Sequence, residues 1–537
     1  MQRSCGILLS ISSLPSPYGI GTLGKAAYQF IDFLAAAGQS WWQVLPVGPT
    51  SCGDSPYQSF STFAGNPYFI DLDLLAEDGL LDYADIDAVN WGDADPSRTD
   101  YLALYENRLP LLEKAARRGW ERDRTAVAAF VEENRDWLPD YTLFMALKRY
   151  FGMRPWTQWP DEGARLRRPD ALEKYRDALA WDASVFAYVQ FLFYRQWTAL
   201  RDYAREWGVG LIGDIPIYVA LDSADVWANP QCFALDENRL PREVAGVPPD
   251  YFTADGQLWG NPLYDWDAMR RDGYRWWVRR IGGAARLYDA LRIDHFRGLE
   301  SYWSVPAGET TAKNGHWNKG PGMDLVGALK AAYPDLFFIA EDLGYLTPAV
   351  RQLLSDSGFP GMKVLEFAFD AREPADYRPH TYPRHSVCYA GTHDNATLMQ
   401  WKDEADPADI AMARLYLGLN QEEGFHWGVL RGGLGSVSGL FIAQMQDYLG
   451  LGADARMNTP GTLGGNWQWR LLPGQLKPEL AEKLAALAKL YGRERTDRRG
   501  RTGEGGQERM DGSGRTDGRG RTDGSGQTES AVPRSPA

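Results

Sequence analysis

Leu291-Arg292-Ile293-Asp294-His295-Phe296-Arg297-Gly298 begins as a short apolar strand and stops abruptly in a carboxylate, a histidine and an aromatic. Side chains alternate faces along a strand, so Arg292 and Asp294 project to the same side. A guanidinium placed there favours the ionised carboxylate and lowers its pKa. A carboxylate held anionic at the C-terminal end of a strand suits a nucleophile or a charge stabiliser. Taken alone, the pattern equally describes a surface ion pair of little energetic worth. The surrounding chain separates the two readings.

Working outward, strand-like runs recur at 6–9, 41–46, 209–216, 336–340, 362–367, 386–390 and 440–444, the last of which reads equally well as helix. Helix-period segments lie between and around them, at 26–37, 100–118, 141–151, 184–207, 267–288 and 477–491. Strand, loop, helix, strand in repetition is the pattern of a parallel βα array. Eight such strands define an α/β fold, a (β/α)8 TIM barrel, with 290–293 as its fourth strand. The expected organisation is a catalytic barrel over 1–492, with a mainly helical insertion around 80–200. A Pro/Gly/aromatic lid loop occupies 247–262. Beyond 493, Arg-Thr-Asp-Gly near-repeats replace apolar residues, and such composition predicts a disordered tail over 493–537.

The chain has 537 residues and a formal net charge of −14, which argues against nucleic acid and anionic membrane as partners, since both demand a basic footprint. Four scattered cysteines, no signal-peptide pattern and no apolar run of about 20 residues predict a soluble cytoplasmic protein. Aromatics make up 13% of residues, and many fall in loops, where they suit stacking on flat apolar faces such as sugar rings; most must still fill the core.

In a TIM barrel the active site lies at the C-terminal ends of the strands. Four carboxylates fall at such ends: Asp214, Asp294, Glu341 and Asp394. A lone one would be read as a helix N-cap. Four at one barrel mouth repel each other and need a ligand to justify them. A metal is disfavoured, because the six histidines form no H-x-H or H-x-x-x-H pair. Phosphate is disfavoured by the lack of a G-x-x-x-x-G-K-[ST] loop. What remains is carboxylate-pair chemistry on a sugar. Retaining glycoside cleavage uses a nucleophile and an acid/base about 5–5.5 Å apart, and neighbouring strands can supply that spacing from Asp294 and Glu341. Arg292 favours Asp294 as nucleophile; the apolar strand before Glu341 favours it as proton donor.

Arg292-Ile293-Asp294-His295-Phe296-Arg297-Gly298, Ala340-Glu341-Asp342-Leu343-Gly344, Thr392-His393-Asp394 and Gly213-Asp214-Ile215-Pro216-Ile217-Tyr218 resemble the motifs of amylomaltases, the 4-α-glucanotransferases of glycoside hydrolase family 77. Asp54-Ser55-Pro56-Tyr57-Gln58-Ser59, Trp259-Gly260-Asn261-Pro262, Arg456-Met457-Asn458 and Asn466-Trp467-Gln468-Trp469-Arg470 extend the resemblance, which runs in order from Ile7 to Tyr491. It implies Asp294 as nucleophile, Glu341 as general acid/base and Asp394 as a third carboxylate that distorts the sugar at the cleavage point. It implies that Arg292, His295 and His393 hold the nucleophile and that sugar, and that Asp214 supports the architecture. Ser55, Tyr57, Gln257, Trp259 and Asn466 match glucan-contacting positions. The family further implies no cofactor, no metal and no β-sandwich after the barrel. An α-1,4-glucan is the implied donor, glucose or a maltooligosaccharide the acceptor, with cyclic glucans a further product and a place in starch, glycogen or maltodextrin metabolism. Where many relatives carry an aromatic before Gly-Asp-Ser-Pro-Tyr-Gln, this chain has Cys52.

Three rival readings stay open at this level. An amylase-type hydrolase would use the same carboxylates but shorten maltotriose without building longer chains. A non-catalytic glucan-binding barrel would be insensitive to Asp294→Asn. A metal-dependent barrel hydrolase would lose activity on chelation.

Overall fold

The computed structural model describes residues 2–494 except 52, 93–94, 250–252, 345, 371–376 and 463. Its centre is a closed barrel of eight strands, β1 (Ser4–Leu8), β2 (Trp41–Gln43), β3 (Gly210–Ile215), β6 (Ala290–Ile293), β9 (Phe337–Ala340), β10 (Gly361–Val364), β11 (Ser386–Tyr389) and β12 (Leu440–Gln444). They follow one another around the barrel in chain order, every neighbouring pair is parallel, and β12 closes onto β1. The run at 440–444 is therefore strand.

Alternation along these strands sorts their side chains into two packed layers. Leu8, Ile212, Ala290, Ile339, Met362, Val364, Val387, Tyr389, Leu440 and Ile442 fill the interior as one buried cluster. Residues of opposite parity, such as Ile7, Leu211, Leu291 and Phe441, face the surrounding helices and join the larger core. The interior is therefore packed below, and function is left to the mouth.

Two helical segments bear on the site. The 27-residue helix Ala180–Glu206 grips the long loop after β2. Gln190 exchanges hydrogen bonds with both backbone groups of Gly65 (2.7 and 2.9 Å), and Gln196 Oε1 accepts from Asp71 N (2.8 Å). Asp71 in turn caps the helix Leu72–Glu77 through Leu74 N (3.0 Å), so the loop that carries Tyr57 is clamped at its base. The segment 267–288, expected as one helix, is two, Trp266–Arg271 and Arg275–Leu287. Gly273 and Tyr274 between them have φ of 71° and 57°, and consecutive left-handed residues break an α-helix.

The largest departure from expectation lies at 247–262. Its two ends are strand: β4 (Glu243–Val247) and β5 (Gln257–Pro262) form an antiparallel hairpin around the connecting residues. Together with β7 (Ser301–Pro306) and β8 (His316–Lys319) they build a four-stranded sheet in the order β5-β4-β7-β8. Short strands framed by Pro and Gly, with a register shift between Val244 and Gly246, carry too little alternation to be read as sheet. Residues 250–252, between the two strands in sequence, lie outside the described residues.

A smaller correction concerns the chain end. Arg493, placed in the tail by composition, is fully buried. Its guanidinium donates to the carbonyls of Leu434, Ser4, Ser436, Ser438 and Gly439 at 2.7–3.2 Å, tying the closing helix Pro478–Leu490 to the start of β1 and the approach to β12. One basic residue in a basic repeat gives no sign of burial, because its partners are backbone carbonyls distant in sequence. From 495 onward the tail lies outside the described residues. Among the described residues, no helix is long and apolar enough to cross a membrane.

Candidate active site

Register places the carboxylates. In the parallel ladder, Asp214 lies opposite Arg292 and Ile293 opposite Ala340. The ladder continues one step past the strands, because Asp294 N donates to Ile215 O and Glu341 N to Ile293 O, both at 3.0 Å. Asp294 and Glu341 are thus matched neighbours on adjacent strands, two residues beyond the inward-facing Arg292 and Ile339. Strand spacing of about 4.8 Å is compatible with the separation that a retaining carboxylate pair needs.

Arg292 is buried, and its Nη1 donates to both oxygens of Asp214 (2.8 and 2.7 Å) while lying 2.9 Å from Asp294 Oδ1. The cation is therefore shared. Its charge was expected to hold Asp294 low, but burial pushes the Asp294 carboxyl well above the ordinary range; Arg292 opposes this, and Asp214, Glu341 and Asp394 reinforce it. Burial also raises Glu341, against the pull of Arg292 and two backbone N–H donors. Two carboxyls raised together titrate as a pair. Arg292 touches Asp294 directly, whereas the Glu341 carboxyl is held by two backbone donors.

The turn after Asp294 serves both groups. His295 takes a left-handed conformation, φ 49°, which few non-glycine residues adopt. That twist aims His295 N at Glu341 Oε2 (2.7 Å), while Leu343 N reaches Oε1 (2.8 Å). Each Glu341 oxygen accepts one backbone N–H bond and keeps a second lone-pair position. The His295 ring stands edge-on to Trp259, centroids 4.9 Å apart, so β5 rests on the catalytic turn. Burial pushes His295 down to about 3, and it is neutral at physiological pH.

Asp394 follows β11 on a turn closed by Asn395 Oδ1, which accepts from Thr392 N (2.9 Å). Asn458 Nδ2 donates to Asp394 Oδ1 (2.6 Å), and Arg456 Nη2 to its backbone oxygen (2.8 Å). His393 is buried, with Nε2 2.8 Å from Tyr57 Oη and 3.4 Å from Asp394 Oδ1. Tyr57 Oη donates to Asp214 Oδ2 (2.7 Å), so Nε2 carries the His393 proton and donates to Tyr57. A continuous set of contacts thus runs from Asp394 through His393, Tyr57, Asp214 and Arg292 to Asp294.

Nine of the twelve predicted residues form this centre. Ser55 joins it indirectly, its Oγ accepting from Tyr57 N (3.2 Å). Gln257 Oε1 accepts from Trp259 Nε1 (3.1 Å) and so sets the indole that meets His295. Asn466 is not brought to the carboxylates: its amide closes its own loop, accepting from Thr459 N (3.0 Å) and donating to Thr462. Sequence reasoning gave no role to Arg456 and Asn458, although their motif was visible. It also passed over Glu366. The sixth barrel strand stops at Val364 and turns through a 3-10 segment, Leu365–Phe367, instead of running on to 367. Glu366 Oε1 then lies 2.6 Å from where a Cβ on Gly391 would be, which is why glycine starts the turn leading to Asp394. Cys52 lies outside the described residues.

The pH dependence follows from these shifts. With Asp294 as nucleophile and Glu341 as acid, the roles the resemblance implies, the rate is expected to fall at low pH as Asp294 takes a proton and at high pH as Glu341 loses its own. With both groups raised by burial, the bell sits above the ordinary carboxylate range. In Glu341→Gln the alkaline limb is expected to vanish from the residual activity; initial rates across pH check this, and a persisting limb would assign the acid elsewhere.

A closed eight-strand βα barrel with a register-matched carboxylate pair and a third carboxylate across its mouth defines a retaining enzyme of the glycoside hydrolase type. The comparisons agree. The family model for glycoside hydrolase family 77, described as 4-alpha-glucanotransferase, matches residues 9–475. A 4-alpha-glucanotransferase from Streptococcus pneumoniae is 48% identical over 92% of this chain and 98% of its own length. One from Thermus thermophilus is 47% identical over 91% and 99%. Among solved structures, an amylomaltase from Streptococcus agalactiae in complex with acarbose superposes with a TM-score of 0.90 at 41% identity, covering 92% of this chain and all of that one. The chain belongs to glycoside hydrolase family 77, the 4-α-glucanotransferases.

Proposed function

We propose that this protein disproportionates α-1,4-glucans by double displacement, and the observation that carries the proposal is the register match of Asp294 with Glu341. Asp294 attacks the anomeric carbon of the donor. As the glycosidic bond breaks, the Glu341 proton passes to the departing 4-oxygen. The 4-hydroxyl of glucose or another glucan then enters. Glu341, now a carboxylate, takes its proton as the new bond forms and the ester to Asp294 breaks. Two inversions return the α configuration.

Asp394, held by Asn458, beside His393 and with 44% of its side chain exposed, is the group we assign to the hydroxyls of the sugar being cleaved. Ser55, Tyr57, Gln257, Trp259 and Asn466 are assigned to the bound glucan, directly or through the loops they fix. Transfer requires that water be kept from the ester; the β4–β5 hairpin, braced on His295 by Trp259, is the element we assign to this. Cyclic products arise when the chain's own end is the acceptor. We place the reaction in the cytosol on maltodextrins, consistent with the unpaired thiols of Cys5, Cys232 and Cys388.

Maltotriose is the discriminating substrate. Transfer yields glucose together with a ladder of longer chains, whereas hydrolysis yields only shorter ones. A product profile without maltotetraose and longer glucans at any time would refute transfer.

A further inference from the structure

Strands β7 and β8 pair with Trp303 directly opposite Trp317, so the two indoles share one face of the sheet, centroids 5.2 Å apart and edge to face. Trp303 is fastened by its Nε1 to Ala312 O (2.9 Å). Trp317 is 43% exposed, a large apolar area to leave in water. Beneath it lies the Arg297 guanidinium, 4.2 Å from the ring centroid. Arg297 is itself only 5% exposed, donates through Nη2 to Ser301 Oγ (3.2 Å) and leaves Nε without a partner. A buried arginine and a fastened indole packed against Trp317 fix the plane of a ring that stays partly exposed.

The position of this pair matters more than its exposure. Arg297 lies in the short turn whose backbone holds Glu341: His295 N donates to the Glu341 side chain, and Phe296 N to its carbonyl (3.0 Å). Arg297 and Glu341 also feel each other's charge. The exposed indole is therefore one arginine away from the turn that holds the Glu341 carboxyl. A pyranose offers a face of C–H bonds that packs on an indole, and a chain of them suits a platform that is flat and rigid.

We propose that Trp317, backed by Arg297, is a stacking platform for an α-1,4-glucan acceptor, engaging sugars beyond the one whose 4-hydroxyl attacks. The proposal rests on the transfer reading, and acceptor length separates the two. Glucose fills only the attacking position and cannot reach the platform; a longer acceptor can. The leaving oligosaccharide occupies the same path before it departs.

The test uses the full-length protein with maltotriose as fixed donor and, as acceptor, either glucose or maltopentaose, each labelled at its reducing end. In Trp317→Ala the ratio of kcat/KM for maltopentaose to that for glucose is expected to fall about tenfold, the scale of one lost aromatic stack, and Trp317→Phe to restore most of it. An equal loss with both acceptors, or a lowered thermal midpoint with the ratio intact, would overturn the platform and leave Trp317 as a staple on Arg297. No transfer to either acceptor by the unsubstituted protein would overturn the transfer reading and the platform with it.

Discussion

Asp294→Asn lowers the rate of glucose release from maltotriose by about four to six orders of magnitude, as loss of a covalent nucleophile does. The substitution keeps the shape of the side chain and removes its charge. Arg292 retains both bonds to Asp214, so the buried cation is not left alone. Asp294, though mostly buried, keeps 27% of its side chain exposed and sits at a strand end, outside the packed interior. Folding is therefore expected to survive, with a thermal midpoint close to that of the unsubstituted protein. Initial-rate assays and a melting curve on the same preparation check both parts. Activity within tenfold of normal would mean that another group, or water itself, attacks the sugar.

Arg292→Met is the second large effect, and it acts on stability and catalysis together. Asp214 is wholly buried and Asp294 faces it across the guanidinium. Without the cation two carboxylates confront each other in a poorly solvated site, and stripping one partner from a buried ion pair costs about 3–5 kcal/mol. Tyr57 still donates to Asp214, a single neutral hydrogen bond against a lost charge. The thermal midpoint should fall. Arg292 is also the group that opposes the upward shift of Asp294. Its removal raises that carboxyl further and moves the acid limb of the rate profile to higher pH. A profile and midpoint like those of the unsubstituted protein would show that Arg292 is not the counter-ion of the pair.

What could be read in the chain, and what could not, divides along physical lines. The barrel strands were legible because buried parallel strands are short apolar runs, and Asp214, Asp294, Glu341 and Asp394 stand out as charges where each run stops. Arg292 and Asp294 were legible as a pair because strand alternation puts them on one face. The consequence of that pairing was not, since nothing within one strand shows that Asp214, across the ladder, takes two of the cation's bonds. Tyr57 was visible as part of a motif, but its place between Asp214 and His393 depends on a loop clamped by Gln190 and Gln196 more than 100 residues later. The β4–β5–β7–β8 sheet escaped notice for the opposite reason. Its strands are interleaved with barrel segments, and their residues are chosen for the site and for solvent more than for a core. Arg493 shows the limit of composition: it is the last described basic residue before the repeats, and only its bonds to backbone carbonyls distinguish it from them.

The central claim is a covalent glucan ester on Asp294, and trapping it is the most direct measurement. In Glu341→Gln, a maltotriosyl fluoride donor needs no proton to leave, while no base remains to activate the acceptor. Intact-protein mass spectrometry is expected to show one added maltotriosyl unit, and peptide mapping to locate it on Asp294. Fluoride release without an adduct, or an adduct on any other residue, would contradict the account.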